Sequence, residues 1–528
     1  MNPAEPGSVP PELAGGKGAD MPDWGDLQVD QLRFMAREHG SATAYRDLDA
    51  QTSITFTEWD AASNQMARGL LDAGIRPGER VSIYLPGNEA LRWIVAYAAV
   101  HKAGAVAVPT NTRLSLPELS TILGHAEAAA ILTAGALVET ACAVRGRTPS
   151  VRFVVALSGA AEGLDVLDQS QFLSDDGTEV QIPRTLDDLA DIMYTSGTTG
   201  NPKGVAVRHR NVAMIPNHEP AWTAKGWIHG APMFTFAGIA FIFNPMKMGL
   251  VGLYLPKFDA GRWLDLVAAE RPSMAFLVPA MAELLVAHPR FGDPDLTSLA
   301  SVSIGSAPLA PQTLLTLQAR LPNATVSNSY GMTEAGPAFI VMPKDEVTKR
   351  IGSVGKPVGP MQLKIVREDD TECSPREVGE LLTKMEGAQR EYYNDPAATR
   401  NTWTVDGWLR SGDLAYLDED GFLYIAGRKK DMIIRGGHNV YPTDVEAVLL
   451  EHPEVQEAAV IGIPHAVLGE DIAAYVVMRP GGDTDPDALF AFCAERLADY
   501  KRPRELHVVD ELPRNATGKV MKHKLRNG

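Results

Sequence analysis

The sequence predicts an α/β protein with a large N-terminal domain of stacked, mostly parallel sheets with helices, and a small α+β C-terminal domain. Its 528 residues exceed what one hydrophobic core ordinarily holds, so at least two domains are expected. Helical and strand-like apolar patterns alternate through the first part of the chain, as in proteins built on parallel sheets. The composition changes at Lys429-Lys430-Asp431, where a new unit begins. We therefore expect domains at residues 27–428 and 429–528.

The composition is that of a globular protein in aqueous solution. Apolar residues make up 45% of the chain and charged residues 22%. The net charge of −17 argues against nucleic acid as a partner, because binding to phosphate backbones needs a basic face. Cys142, Cys373 and Cys493 are far apart and odd in number, so we expect neither a disulfide framework nor a zinc site. A reducing, cytoplasmic compartment is predicted.

The sequence predicts neither a targeting segment nor a membrane-spanning segment. Residues 1–26 are rich in proline, glycine, alanine and acidic residues and lack an apolar run, which favours a disordered leader over a signal peptide. The most apolar later stretch, residues 231–256, is interrupted by Pro245 and Lys247. We interpret it as buried core and expect no transmembrane segment.

The early elements alternate between helix and strand. Ala62, Met66 and Leu70 recur at helical spacing, and Pro77-Gly78 follows the end of that helix. A βαβ unit is then predicted, and units of this kind stack into mostly parallel sheets with ligands at the carboxyl ends of the strands. The predicted members of the unit are the strand Val81–Leu85, the helix Glu89–Gly104 and the strand Ala105–Val108. Further strands are predicted near Ile131-Leu132 and at Phe153–Val155, Leu189–Met193 and Val302–Ile304.

The segment Tyr194–Gly204, with the sequence YTSGTTGNPKG, has the composition of a polyphosphate-binding loop. Glycines let backbone N–H groups approach a ligand closely, hydroxyls add donors, and a lysine adds a point charge suited to phosphate oxygens. It is not a Walker A loop, because Pro202 stands where that motif needs glycine. A flexible linker would need neither the preceding strand nor the Pro-Lys-Gly that follows.

Two later segments carry polar groups of the kind that bind a nucleotide. The strand Val302–Ile304 leads into a glycine turn, and residues 328–334 are NSYGMTE. A tyrosine ring can stack on a purine, a threonine can donate to a phosphoryl oxygen, and a glutamate is a hard oxygen ligand for Mg²⁺. A Thr-Glu pair alone is also a common helix start. Its position downstream of the phosphate loop favours the functional interpretation.

The segment TSGTTGNPKG resembles the phosphate-binding signature of the adenylate-forming superfamily, which includes acyl-CoA synthetases, peptide-synthetase adenylation domains and luciferases. The resemblance runs from about Thr55 to Lys519 with the motifs in the family order. It implies catalytic roles for Lys519, Thr333 and Glu334, with Glu334 as the metal ligand. It implies ATP or AMP binding by Thr195, Ser196, Gly197, Thr198, Thr199, Gly200, Lys203, Gly305, Ser306, Ala307, Asn328, Tyr330, Gly331, Asp413 and Arg428.

The roles within that set, and two departures from the family pattern, follow from the same resemblance. Asp413 corresponds to the carboxylate that accepts from the ribose hydroxyls, and Ser411 stands two residues before it, where threonine is usual. The segment PMFTFAG at residues 232–238 is similar to the one that lines the acyl pocket, which implies pocket roles for Phe234, Thr235, Ala237 and Gly238. Thr235 replaces a common histidine, so the shape of the substrate stays open.

The resemblance implies that the C-terminal domain is mobile and that Lys430 lies at the hinge. Lys519 occupies the position of the adenylation lysine, and the hairpin at Gly436-Gly437 would face the active site after the domain moves. In the basic run at residues 500–504, an aromatic ring and guanidinium groups suit the adenine and phosphates of CoA. The implied CoA site comprises Gly436, Gly437, Tyr500, Arg502 and Arg504. The predicted elements of this domain are the helix Asp444–His452, the strands Val455–Ile461 and Asp471–Val477, and the helix Asp487–Leu497.

Taken together, these features imply an ATP-dependent acid–CoA ligase that uses ATP, Mg²⁺ and CoA. Such an enzyme activates a small-molecule carboxylic acid as an acyl-adenylate, releases pyrophosphate, and transfers the acyl group to the CoA thiol. One alternative is an adenylating enzyme with another acceptor, either a carrier-protein thiol or an amine. Another is an AMP-binding regulatory protein, which would need neither Glu334 nor Lys519. The sequence also leaves a homodimer open.

Overall fold

The structure is a computed structural model. It describes residues 25–159, 163–195, 203–212, 215–307, 309–337, 340–387, 389–479, 481–482, 485–514 and 520–526. The predicted leader therefore lies outside the described residues up to residue 24. The glycine-rich centre of the phosphate loop and the predicted adenylation lysine also lie outside them.

Helices and strands alternate along most of the chain. The helices are α1 Gln28–Glu38, α2 Phe56–Asp72, α3 Ala90–Lys102, α4 Leu116–His125, α5 Val138–Arg145, α6 Gln169–Phe172, α7 His209–Val212, α8 Phe236–Lys247, α9 Ala260–Glu270, α10 Pro279–Ala287, α11 Pro311–Arg320, α12 Pro396–Thr402, α13 Pro442–Leu450, α14 Pro486–Arg496 and α15 Lys522–Leu525. The strands are β1 Thr43–Asp47, β2 Thr52–Thr55, β3 Arg80–Tyr84, β4 Val106–Pro109, β5 Ala128–Thr133, β6 Phe153–Ala156, β7 Leu167–Asp168, β8 Leu189–Thr195, β9 Lys203–Arg208, β10 Lys225–His229, β11 Leu250–Tyr254, β12 Met274–Leu277, β13 Ser301–Gly305, β14 Thr325–Ser329, β15 Gly331–Met332, β16 Gly336–Pro337, β17 Ile340–Val341, β18 Ser353–Pro357, β19 Gln362–Val366, β20 Gly379–Lys384, β21 Glu391–Tyr392, β22 Leu409–Leu417, β23 Leu423–Arg428, β24 Ile433–Arg435, β25 His438–Val440, β26 Val455–His465, β27 Gly469–Met478 and β28 Glu505–Val508.

Two largely parallel sheets form the body of the N-terminal part, as the sequence predicts. The first has the strand order β21-β9-β8-β4-β3-β5-β6-β7, and the second has the order β14-β13-β12-β10-β11-β1-β2. The strands β3 to β8 pair in parallel, whereas β9 and β21 extend the first sheet in the antiparallel sense. The antiparallel hairpin β1–β2 at the edge of the second sheet is a feature that the sequence analysis did not predict.

The core explains why these segments fold as they do. Helix α2 begins at a capping box in which Thr55 Oγ1 accepts from the Glu58 amide at 3.2 Å, while the Glu58 carboxylate accepts from the Thr55 amide at 2.9 Å. Its apolar face, which includes Trp59, Met66 and Leu70, is buried between the helices and the first sheet. The helical spacing recognised in the sequence is therefore confirmed. Burial of this kind is the main stabilising contribution in the domain.

A third, antiparallel sheet follows, with the strand order β17-β18-β23-β22-β20-β19. The sequence analysis did not predict this sheet. After β23 a short 3₁₀ turn, Lys429–Asp431, leads into a fourth sheet with the order β25-β24-β27-β26, in which β28 pairs with β27. This last sheet packs against α13 and α14 around its own core of Ile433, Val460, Ile472, Leu489 and Cys493. The predicted helices and strands of this region are confirmed with small shifts at their ends.

Candidate functional site

The predicted nucleotide residues lie where strands of different sheets end. Strand β8 ends at Thr195, and the antiparallel pairing of β8 with β9 places Lys203 directly opposite Thr195. The two ends of the phosphate loop are therefore held side by side. The loop residues between them, Ser196, Gly197, Thr198, Thr199 and Gly200, lie outside the described residues, as does Lys519 of the C-terminal loop.

The second sheet contributes two neighbouring strand ends. Gly305, at the end of β13, pairs in parallel with Ser329 at the end of β14, and the Ser303 and Ser329 hydroxyls are 2.5 Å apart. Ser306 then turns the chain with a φ of +77°, in the left-handed region that favours glycine. The turn continues through Ala307. Asn328 lies on β14, and Gly331 begins the short strand β15 after Tyr330.

Tyr330, Asp413 and Arg428 meet although they are far apart in sequence. Tyr330 Oη donates to Asp413 Oδ2 at 2.6 Å, and Arg428 Nε lies 3.6 Å from Asp413 Oδ1. Asp413 and Arg428 are direct partners in the β22–β23 pairing. Burial and the charge of Asp413 raise the pKa of Tyr330 well above its usual value, so its hydroxyl stays a donor. This cluster offers a carboxylate, a cation and an aromatic ring to one ligand.

Ser411 replaces the usual threonine but keeps the function of the hydroxyl. Its Oγ donates to the Leu381 carbonyl at 2.7 Å and accepts from the Asp413 amide at 3.0 Å. Because serine and threonine share this hydroxyl, the departure from the family pattern preserves the support of Asp413.

The other end of the NSYGMTE segment carries the predicted metal carboxylate. Glu334 Oε1 accepts from Tyr392 Oη at 3.1 Å, and Lys203 Nζ lies 4.9 Å from the centre of the Tyr392 ring. Burial and the charge of Glu334 raise the pKa of Tyr392. Glu334 Oε2 has no protein hydrogen bond among the described residues and is available to a cation. One such carboxylate fits Mg²⁺, which proteins commonly hold through one or two carboxylates and the phosphates of the substrate.

Tyr392 and Arg390 contact predicted site residues, and the sequence analysis did not single them out. Both precede or lie on β21, which pairs with β9 and so connects this segment to the phosphate loop. Arg390 Nη1 donates to the Thr333 carbonyl, and Nη2 donates to the Asn211 carbonyl at 2.9 Å. Arg390 bonds to the Thr333 carbonyl and Tyr392 bonds to the Glu334 carboxylate, so both side chains reach the Thr333-Glu334 pair. The signal in the sequence is an arginine and a tyrosine two residues apart.

The predicted acyl segment forms the start of α8. Thr235 is the N-cap of this helix: its Oγ1 accepts from the Gly238 amide at 3.1 Å and donates to the Pro232 carbonyl at 2.7 Å. A side chain at Gly238 would overlap the Pro232 carbonyl, which explains the glycine. Phe234 and Ala237 are half-buried beside this turn. The hydroxyl that replaces the common histidine therefore caps the helix.

A group of aromatic rings lies between α8 and the second sheet. The Phe241 ring stacks on His229 at a centroid distance of 4.6 Å and packs against Trp227 at 5.1 Å and Phe276 at 4.9 Å. Burial lowers the pKa of His229 to about 3, so this ring is neutral. Phe276 also approaches Gly305, where an added Cβ would lie 3.6 Å from the ring. The rings therefore adjoin the strand end that carries the predicted nucleotide turn.

The predicted hinge and CoA residues lie at and after the 3₁₀ turn. Lys430 is exposed, whereas the preceding Lys429 donates to Glu380 Oε2 at 3.0 Å and so anchors the turn to the third sheet. Gly436 and Gly437 form the tip of the β24–β25 hairpin with φ angles of +58° and +84°. These positive angles favour glycine at both positions.

The structure brings the hairpin and the basic run together. The His438 ring stacks on Tyr500 at a centroid distance of 4.7 Å, and Arg435 Nη1 donates to the Tyr500 carbonyl at 3.1 Å. Arg504 is exposed. The Arg502 guanidinium donates to the carbonyls of Ala494 and Leu497 at 2.9 and 3.1 Å, and it therefore closes the C-terminal end of α14.

The chain belongs to the family of AMP-binding enzymes. The family model "AMP-binding enzyme" matches residues 32–393, and the model "AMP-binding enzyme C-terminal domain" matches residues 444–519. Within the family, the chain is an AMP-forming acid–CoA ligase, which uses ATP, Mg²⁺ and CoA.

Similar proteins match along almost the whole chain. A feruloyl-CoA synthase from Amycolatopsis sp is 35% identical over 93% of this chain and 96% of its own. A 2-succinylbenzoate–CoA ligase from Bacillus licheniformis is 33% identical over 96% and 99%. The crystal structure of the anthranilate CoA ligase AuaEII in complex with anthranoyl-AMP is similar with a TM-score of 0.86 and 27% identity, covering 97% of this chain and 98% of that one. In the described part of the chain, every helix is too short or too polar to cross a membrane.

Proposed function

We propose that adenylation takes place between the Tyr330–Asp413–Arg428 cluster and the Glu334–Tyr392–Lys203 cluster. The observation that carries this proposal is that both clusters are anchored on one short segment, residues 330–334, with the phosphate-loop lysine at one end. The ribose hydroxyls of ATP would donate to Asp413, and the triphosphate would extend toward Lys203. This direction places the α-phosphate near Thr333.

In this proposal the residues of the two clusters position the substrates and neutralise the negative charge of the phosphates. The carboxylate of the acid attacks the α-phosphorus of ATP, the bond to the bridging oxygen breaks, and pyrophosphate leaves. Thr333 and Lys519 would stabilise the negative charge on the phosphoryl oxygens, while Arg428 holds the nucleotide. Magnesium, held by Glu334 and the phosphates, would supply further charge neutralisation. In the second step the CoA thiolate attacks the acyl carbonyl and AMP leaves.

The acceptor surface is proposed on the C-terminal sheet. The Tyr500 ring stacks on His438 next to the Gly436-Gly437 hairpin, and Arg504 is exposed four residues later; an exposed ring and a guanidinium suit the adenine nucleotide of CoA. A carrier-protein acceptor brings phosphopantetheine without that nucleotide. The CoA-ligase relatives support this reading. We assign Arg502 to holding the segment, because its donors are already engaged.

We further propose that the acid is compact and carries an aromatic or similar planar ring. Phe241 and Phe276 are 6% and 8% exposed, so their rings fill the space behind the acyl segment that a long flexible chain would need. Flat rings pack well against aromatic edges. The names of the similar proteins include ring-bearing substrates, feruloyl and anthranilate, and also long-chain fatty acids, so this proposal rests on the aromatic lining.

A panel of acids tests both the proposed ring-bearing substrate and the proposed CoA acceptor. Pyrophosphate release with ATP and Mg²⁺ is measured for benzoates, cinnamates, short aliphatic acids and long-chain fatty acids, and each active acid is then tested for thioester formation with CoA. We expect the highest kcat/KM for ring-bearing acids. Phe241→Leu should shift the preference toward longer acids by roughly 10-fold, which is typical when pocket volume changes by a few methylenes.

The matched control for the panel is Phe243→Leu, because Phe243 lies on the same helix but packs against Trp59 in the core. It should lower stability without changing the preference among acids. A preference for long-chain acids in the wild type would refute the compact pocket. Adenylation without any thioester would instead favour another acceptor.

Cytoplasmic location and a homodimer are also proposals. The three cysteines are free thiols, as in proteins from a reducing compartment. Cell fractionation tests the location, and light scattering on the purified enzyme tests the assembly.

A further inference from the structure

Arg390 is a buried cation at the junction of three parts of the site. Arg390 is 3% exposed, and both of its Nη atoms donate to main-chain carbonyls, those of Thr333 and Asn211. Its guanidinium carbon lies 5.0 Å from the centre of the Phe236 ring, at the start of the acyl segment. Arg390 therefore touches the segment of the predicted metal carboxylate, the short helix α7 that follows β9, and the acyl segment.

The space around Arg390 is shaped to receive it. Gly336 has a φ of +77°, and a Cβ at this position would lie 2.8 Å from Arg390 Nη2. A side chain there would push the guanidinium away from Thr333. The planar fork of arginine can donate to two carbonyls and stack on a ring at the same time, which an ammonium group cannot do.

The charges of two carboxylates, Asp191 and Glu334, stabilise the buried guanidinium. Burial lowers the pKa of Arg390 to about 10, while the charges of Asp191 and Glu334 raise it, so the guanidinium is protonated at neutral pH. Asp191 lies on β8, four residues before Thr195, and is 1% exposed. It is held by Tyr97 Oη at 3.0 Å and His101 Nε2 at 3.1 Å. The counter-charge behind Arg390 is thus fixed in the core.

We propose that Arg390 is a positioning residue for adenylation: by holding the Thr333 carbonyl and carrying the Phe236 ring, it fixes Glu334 and the acyl segment relative to each other. The inference rests on the proposed role of Glu334 as the metal carboxylate. Because a hydrogen-bonded carbonyl orients the peptide that links Thr333 to Glu334, loss of the bond lets the carboxylate turn. Outer contacts of this kind commonly change metal affinity or activity by roughly 10- to 100-fold.

The test compares Arg390→Met and Arg390→Lys with Lys247→Met. Lys247 is the control, because it is a buried basic residue, 1% exposed, whose Nζ donates to a main-chain carbonyl, that of Ile215, at 2.6 Å. It lies at the far end of the helix that begins at Phe236. Removing it measures the general cost of losing a buried basic side chain and its hydrogen bond to the main chain.

Two readouts separate positioning from stability. The first is Mg²⁺ binding, measured as the Mg²⁺ concentration that half-restores thermal stabilisation by a non-hydrolysable ATP analogue. The second is the KM for the acid in pyrophosphate release. Arg390→Met should raise the Mg²⁺ midpoint and the KM roughly 10-fold or more. Arg390→Lys should recover part of both, since it keeps the charge and one donor direction.

The control variant should lower the melting temperature without moving the Mg²⁺ midpoint. If Arg390→Met behaves as the control does, Arg390 is a structural residue and the proposal is overturned. If Arg390→Met does not fold, Arg390→Lys decides, because an unchanged Mg²⁺ midpoint in it has the same consequence. If Glu334→Gln also leaves the midpoint unchanged, the assignment of Glu334 itself has failed; if only the Arg390 variants leave it unchanged, this inference alone has failed.

Discussion

Asp413 shows how the candidate site depends on contacts between distant residues. Its carboxylate accepts from Tyr330 Oη and lies near Arg428, and its amide donates to Ser411. A carboxylate held from both sides needs no rearrangement when a ribose binds, and such preorganisation lowers the entropic cost of binding. Individual motifs identified these residues, whereas their mutual orientation comes from the third sheet.

Glu334→Gln should raise the Mg²⁺ concentration needed for pyrophosphate release and slow adenylation, by roughly 10- to 100-fold in activity at limiting Mg²⁺. A neutral amide is a weaker ligand for a hard cation than a carboxylate, but it still accepts from Tyr392. The measurement is the Mg²⁺ dependence of pyrophosphate release at saturating ATP.

Glu391→Gln is the control for that variant, because Glu391 is a neighbouring carboxylate that pairs with Arg208 at 2.5 Å on the outer side of the sheet. Its Mg²⁺ dependence should equal that of the wild type. An equal dependence in Glu334→Gln would remove Glu334 from the metal site.

At the level of elements, repeating patterns were predictable and irregular connections were not. The helix α2, the βαβ strands and the helices of the C-terminal sheet follow from apolar spacing, because one face of each must be buried. The short strand β21 could not be predicted, since two residues carry no period. It nevertheless places Arg390 and Tyr392 in the site.

The hairpin β24–β25 and the basic run form the element to test for CoA. The combined change Tyr500→Ala with Arg504→Ala should raise the KM for CoA roughly 10-fold or more, as expected when a stacking ring and a charged donor are lost. Pyrophosphate release in the absence of CoA should stay near normal. Steady-state thioester formation at varied CoA measures the effect.

Arg502→Ala serves as a comparison for the Tyr500 and Arg504 double variant. Its guanidinium donates to the carbonyls at the end of α14, so its loss should lower the melting temperature and leave the KM for CoA little changed. A large rise in KM for CoA in Arg502→Ala alone would instead place this residue at the nucleotide.

At the scale of the whole molecule, the C-terminal sheet has its own core and is joined to the rest through the exposed turn Lys429–Asp431. Lys429 is anchored to Glu380, whereas the side chain of Lys430, the predicted hinge residue, is exposed. The sheet also contacts the preceding domain, where the Thr443 hydroxyl donates to the Ala426 carbonyl. A small domain on a short turn can present different faces to one site.

Lys519→Ala tests this alternation between faces. The proposed adenylation lysine and the proposed CoA surface both lie in the C-terminal domain of the sequence, so the proposed function requires each of them in a different step. Loss of the lysine should slow pyrophosphate release by roughly 100- to 1000-fold, the usual effect of removing one donor to a developing oxyanion. Thioester formation from pre-made acyl-adenylate and CoA should remain close to that of the wild type. Single-turnover assays of the two half-reactions, with the Tyr500 and Arg504 double variant as the reciprocal control, measure both effects. Equal losses in both half-reactions would mean that one arrangement of the domains serves both steps, and the hinge at Lys430 would then have no role in the reaction.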